Sequence, residues 1–169
     1  MQSDQLLYTF RNERTGIRDR FYMDRHGLYG KCSAIDMDFI ELDRNLVAKL
    51  GGDLKHSSIQ TIDRNDWQAK AYKNNFNFPL IFLVYYFFNT DNKLMSVNSA
   101  NKNISSIQYF PIPINVAAMK LFGREGVMIT EQDWIKFLYH IRKQKIDFDI
   151  SGFSDTIKPV SEPVIKGEI

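Results

Sequence analysis

Four side chains close together in the sequence, Asp36, Asp38, Asp53 and Lys55, have the chemistry needed to handle phosphate esters. Clustered carboxylates repel one another, which raises at least one pKa unless a cation enters. A hard divalent ion such as Mg2+ or Mn2+, held by oxygens and keeping several waters, relieves that repulsion. Such an ion lowers the pKa of a bound water and neutralises charge on a phosphodiester. A lysine beside it orients the attacking water and stabilises the charge that develops at phosphorus. The set suits hydrolysis of a nucleic-acid backbone, with Asp36, Asp38 and Asp53 as metal ligands.

A hairpin must bring these residues together. Residues 35–42 read IDMDFIEL, and their first half alternates: Ile35, Met37 and Phe39 point one way, Asp36 and Asp38 the other. Asp43-Arg44-Asn45 supplies turn chemistry, and LVAKL begins a second strand. With Arg44-Asn45 as a two-residue turn, Asp36 lies across from Asp53, Asp38 from Gly51, and Ala34 from Lys55. Asp36, Asp38, Asp53 and Lys55 then emerge on one side of the sheet, with Met37, Phe39, Leu50 and Leu54 on the other. A one-residue slip would bury the carboxylates. The alternative is that these are ordinary exposed charges on the wet face of a hairpin.

Further elements follow along the chain. Helical character runs from Arg64 to Lys73, with Trp67 and Ala71 one turn apart, and Asn74-Asn75 ends it. Pro79 introduces LIFLVYYFF at 80–88, whose length and β-branched and aromatic content fit a fully buried central strand. Tyr85 to Phe88 could instead stack bases, although burial in the core is the plainer reading. Residues 89–104 are polar and read as a loop; 107–114 alternate, but Pro111 and Pro113 confine that strand to an edge. Thr130 is the N-cap of a final helix whose Trp134, Phe137, Leu138 and Ile141 form a core-facing stripe. The expected architecture is α/β, a mixed central sheet flanked by helices, with residues 1–145 as one domain. Residues 146–169 are expected to be a C-terminal tail, or an edge strand at 146–150.

Asp36 followed by Asp53-Leu54-Lys55 resembles the Asp…(Asp/Glu)-x-Lys signature of the PD-(D/E)XK nuclease superfamily, with the first acid on one strand and the acid-x-Lys on the next. Gln68-Ala-Lys-Ala-Tyr72 resembles the Gln-x-x-x-Tyr element of its RecB-like members. The resemblance spans residues 32–88 and implies a restriction-endonuclease-like core with Mg2+ or Mn2+ as cofactor. It implies that Asp36 and Asp53 hold metal, Lys55 acts on the water, and Gln68 and Tyr72 assist. Asp38 competes with Asp36, which is preferred because it faces Asp53 in the inferred register. Gly51-Gly52 stands where the family places bulky apolar residues, and a bulge there would displace Asp53 and Lys55. The family's additional acid or histidine would come from Glu13, Asp19, Asp24 or His26.

The rest of the composition sets bounds. The 169 residues are 44% hydrophobic and 25% charged, enough to bury a core, with a net charge of +2. Arg14 and Arg18 belong to an N-terminal run of arginines, either a solvated face or contacts to phosphate. The single cysteine, Cys32, has no internal disulfide partner, and the start has no basic-then-apolar export pattern. The run from Phe78 to Phe88 is too short to cross a bilayer as a helix. A cytoplasmic, metal-dependent deoxyribonuclease is the expectation, acting on DNA and away from membranes. The sequence leaves open a homodimer, and leaves open whether the tail is disordered, pairs with a sheet edge or docks a protein partner. The rival is a non-catalytic relative of the fold, a small phage or mobile-element protein that binds or inhibits. No His/Cys spacing suggests zinc, and no glycine-rich phosphate loop or serine elbow is present.

Overall fold

The computed structural model describes residues 37–96 and 104–169. Asp36, Arg14 and Arg18 lie outside the described residues, as do Glu13, Asp19, Asp24, His26 and Cys32. The described chain is mixed α/β, with a mixed five-stranded sheet and three helices.

Strands β1 (Phe39–Leu42) and β2 (Ala48–His56) form the antiparallel hairpin. A short strand, β3 (Thr61–Asp63), and helix α1 (Trp67–Asn75) then carry the chain over to β4 (Leu80–Phe88). β4 runs parallel to β2, a pairing that requires such a crossover. β5 (Ser106–Pro113) returns antiparallel to β4, and α2 (Val116–Phe122), β6 (Ile129–Thr130) and α3 (Glu131–Ile141) follow. The sheet order is β1-β2-β4-β5-β6, so the apolar 80–88 run takes the central place. Pro111 and Pro113 lie beyond the two residues of β5 that pair with β6, where no ladder donor is missed.

The sheet has two unlike faces. On one, Leu50, Ile81 and Leu83 pack against Ala118 and Phe122 of α2 and Trp134 of α3. Phe137, Leu138 and Ile141 join this cluster from the α3 stripe, and Thr130 caps that helix by accepting from Asp133 N at 3.1 Å. The other face carries Asp53, Lys55, Phe82 and Tyr86. Here α1 turns Ala69 and Tyr72 inward, whereas Trp67 is 67% exposed, so the buried side of the helix is not the Trp67/Ala71 one. Among the described residues no helix is long and apolar enough to cross a membrane.

Two expectations are corrected. The hairpin closes through a three-residue loop, Asp43 N bonding Val47 O and Leu46 N bonding Asp43 O, with Leu46 in the left-handed region. A bulge between Glu41 and Leu42 then leaves Lys49 without an opposite residue, as Glu41 faces Leu50 and Leu42 faces Ala48. Loop and bulge each shift the pairing by one residue. Phe39 therefore faces Gly52 instead of Leu50, which brings Asp38 alongside Asp53. The two shifts cancel in parity, so the faces are sorted as expected while the partners change. The bulge is not at Gly51-Gly52, where β2 continues without interruption.

The second correction concerns the C-terminal segment. Residues 146–150 form no strand. Val164–Lys166 (β7) instead pairs in parallel with β3. On the way there the chain crosses the Tyr86 face. The buried Gln108 amide bonds both backbone groups of Lys158, at 2.8 and 3.0 Å, and Tyr86 OH donates to Ser161 O at 3.3 Å. Arg124 pairs with Glu168 near the end.

Candidate active site

Asp53 and Lys55 stand two residues apart on β2 and so share a face, with Leu54 between them pointing to the other. β1 begins only at Phe39, and the preceding residue bridges the gap with its side chain. Asp38 N donates to Gly52 O at 3.1 Å, and its Oδ2 accepts from Leu54 N at 2.7 Å. Asp38 is exposed, at the rim of the sheet, while Asp53 is buried with 7% of its surface accessible.

The electrostatics follow from that placement. Burial, and then the direct contact with the Asp38 carboxyl, push the Asp53 carboxyl above its ordinary value. Lys55 pulls the other way, since its ammonium pairs with Asp53 Oδ2, but burial and Asp38 together prevail. The Lys55 ammonium also lies 4.9 Å above the Phe82 ring, the β4 residue in register with Asp53.

Helix α1 supplies the rest. Asp66 caps it, accepting from Ala69 N at 2.7 Å, and this fixes the first turn. Lys73 ties the helix back to its entry through Arg64 O at 3.1 Å and Asn65 Oδ1 at 2.8 Å. One turn apart, Gln68 and Tyr72 share a side. Gln68 Oε1 accepts from Lys55 Nζ at 3.3 Å, and Gln68 Nε2 donates to the hydroxyl of the buried Tyr72 at 3.0 Å. Asp38, Asp53, Lys55, Gln68 and Tyr72 thus form one connected polar chain across strand rim, strand and helix.

Asp38, Asp53, Lys55, Gln68 and Tyr72 are therefore brought together, while Asp36, Arg14 and Arg18 lie outside the described residues. Among those described, no group of three His, Cys, Asp or Glu side chains converges to hold a metal. Two contacting carboxylates, one buried with its pKa raised, still form a donor set that suits a hard divalent ion keeping most of its waters. The position of Asp38 across from Asp53 was not legible in advance, because no residue type marks the bulge opposite Lys49. The Phe82 ring beneath Lys55 was likewise missed, as register with a parallel strand leaves no local pattern.

The two described histidines stand apart from this chain of contacts. His56 Nδ1 is within 3.0 Å of both Ser58 Oγ and Ser58 N, its ring meets Tyr85 edge-on at 5.5 Å, and burial lowers its pKa. These contacts order the exit from β2. His140 is exposed in the last turn of α3. No protein-family model, curated protein or solved structure gives a significant match to this chain, so its own geometry is what speaks for its chemistry.

Proposed function

We propose that this chain is a metal-dependent nuclease that hydrolyses phosphodiester bonds in DNA, built on a restriction-endonuclease-like core. The observation that carries the reading is the continuous contact chain from Asp38 and Asp53 through Lys55 to Gln68 and Tyr72. Also in its favour is the element order: acid-bearing hairpin, helix, then a buried strand parallel to the one that holds Asp53 and Lys55.

In this reading Asp53 and Asp38 hold Mg2+ or Mn2+. Once bound, the ion lowers the pKa of a water and neutralises phosphate charge. Lys55 is held by Gln68 at the height of the carboxylates, where its ammonium orients a water and meets charge developing at phosphorus. Gln68 positions Lys55, and Tyr72 positions Gln68 from the buried side of α1. Arg14 and Arg18 would contact the DNA backbone. The enzyme would work in the cytoplasm on nucleic acid.

A second reading, a non-catalytic relative that binds or inhibits, is favoured by one observation. Lys55 already neutralises Asp53, and only two acids meet among the described residues. One assay separates the two. Purified protein is incubated with plasmid and single-stranded DNA in Mg2+, Mn2+ or EDTA, beside Lys55→Ala. Cutting that needs the ion and disappears in the variant supports the enzyme. A folded wild type with no cleavage and no heat of metal binding by calorimetry leaves the binding protein.

A further inference from the structure

Alternation along β4 sends Ile81, Leu83, Tyr85 and Phe87 to the face opposite Asp53 and Lys55. Helices α2 and α3 cover the Ile81 and Leu83 end. Past them the face is open. A groove of about 490 Å³ remains, walled by Phe39, Leu54, Tyr85, Phe87, Tyr109 and Trp134. Tyr85 and Phe87 lie 4.9 Å apart and Tyr109 lies 5.4 Å from Trp134, so the walls are mostly aromatic faces and edges. Leu54, 44% exposed, belongs to this contiguous apolar patch, which is broad enough for something to cover it.

Two features say what that something is. The groove borders the strand that carries the candidate active site: Leu54, which lines it, stands between Asp53 and Lys55, whose side chains leave the opposite face, and its amide is held by Asp38 at the rim of the sheet. In the other direction Glu41 lines the groove and pairs with Arg142, which neutralises its carboxylate. The next residue, Lys143, borders a second cleft of about 530 Å³ with Arg44 and Lys145, where Asp147 is outnumbered by the three cations. An aromatic groove with a cationic cleft beside it, the Glu41–Arg142 pair standing between them, suits a strand with exposed base faces and a phosphate backbone. Duplex bases, already stacked and paired, cannot enter it.

We propose that this groove and cleft bind single-stranded nucleic acid, the bases against Tyr85, Phe87 and Tyr109 and the phosphates against Arg44, Lys143 and Lys145. The inference rests on the nuclease reading and deepens it by naming the substrate form, a single strand or a frayed end delivered past Leu54 to Asp38.

Binding is measured apart from cleavage, by fluorescence anisotropy of labelled (dT)12 and (rU)12 in EDTA. Wild type is expected to bind, with an unlabelled duplex of equal length failing to compete. Phe87→Leu and Tyr85→Leu keep apolar volume and remove the π-face. Each is expected to weaken binding by about 5-fold or more, the lower end for loss of one base stack. Arg44→Ala with Lys143→Ala should flatten the logarithmic salt dependence by roughly 0.7 for each phosphate that is no longer neutralised. Tighter binding of (dT)12 or of (rU)12 identifies the sugar. The proposal is overturned if wild type binds neither oligonucleotide, if duplex competes equally, or if folded leucine variants bind as wild type does. Metal-independent binding with no cleavage would remove the nuclease reading alone. Cleavage with unchanged binding by the leucine variants would remove the groove alone.

Discussion

Asp38 Oδ2 accepts the amide proton of Leu54 at 2.7 Å, at the point where the β1 backbone has ended and β2 continues. A side chain here replaces a strand. The exchange anchors a carboxylate beside Asp53 at no cost in unsatisfied backbone. Asp38→Ala removes the acceptor and should cost about 1 kcal/mol, whereas Asp38→Asn keeps an oxygen in place and should cost less. Urea midpoints of the two variants check this. Equal losses would show that the charge, not the hydrogen bond, is what Leu54 requires.

The pH dependence at Asp53 has a definite sign. Its carboxyl is raised above the ordinary 3.8, first by burial and then by Asp38. The folded protein therefore binds this proton more tightly than the unfolded chain does. Between 3.8 and the raised value the folded state holds more protons, so this position's contribution to stability falls as pH rises through that window and stays lost above it. Asp53→Asn cannot ionise. Stability of the variant relative to wild type should shift in the variant's favour as pH rises above 3.8 and level off once the carboxyl of the folded wild type has ionised. Comparing the pair removes the ordinary acid weakening contributed by other carboxylates, such as Asp43, whose pKa is lowered by its bonds to Val47 and Asn45. A flat difference would mean that Lys55 offsets both burial and Asp38.

Gly52 is fixed by the approach of the neighbouring strand. A Cβ there would sit 1.8 Å from Ile81 O, a backbone atom inside the parallel ladder that cannot yield without breaking it. Gly51 is different: its Cβ would meet the Phe78 ring at 2.7 Å and the Met37 sulfur at 2.9 Å, both ends of side chains that can move. Gly52→Ala should destabilise by about 3 kcal/mol or more, and Gly51→Ala by appreciably less. Chemical denaturation of both decides it. Similar values would mean that β2 and β4 separate more easily than the register implies.

These glycines also bear on how much could be read in advance. The uninterrupted run at 80–88 and the 3.6-residue stripe behind Thr130 carry their own length and period, so the central strand and the last helix were plain. The hairpin's faces were also legible, because apolar alternation fixes parity. Its partners were not. Leu46 occupies a left-handed position that glycine or asparagine usually marks, and the bulge opposite Lys49 has no residue signature. Together they displace the described pairing by two residues and set Asp38 alongside Asp53. β7 was invisible for another reason. Three residues pairing with Thr61–Asp63 across about a hundred positions of sequence show no periodicity at either end.

Leu46 itself offers a stabilising change. It holds φ 62° with 79% of its surface exposed, so its side chain contributes little packing, while the conformation costs a non-glycine residue about 1–2 kcal/mol. Leu46→Gly removes that strain and returns roughly half of it as extra freedom of the unfolded chain. The net gain should be up to about 1 kcal/mol, and Leu46→Asn should gain a similar amount without the entropic loss. Thermal melts read the sign directly. A loss in both variants would show that Leu46 is covered in solution, by a second copy or another partner.

A buried amide holds the middle of the segment crossing the sheet. Gln108, 1% exposed, accepts from Lys158 N and donates to Lys158 O, so it completes both backbone groups of an otherwise extended strap. Tyr86 lies in register with Gln108 and holds Ser161 O three residues on. Replacing Gln108 by alanine loses two hydrogen bonds, about 2 kcal/mol on the closed state of the strap. When opening is fast relative to cleavage, proteolysis tracks the open population, so cutting within 154–162 by a non-specific protease should rise about 30-fold. Tyr86→Phe removes one bond and should produce a smaller rise at the same place. Because β3 joins β7 just before α1, cleavage of the strap should in turn loosen Gln68 and Tyr72. Cleavage spread over the whole chain, rather than confined to the strap, would mean that the Gln108 amide holds the core and not the crossing segment.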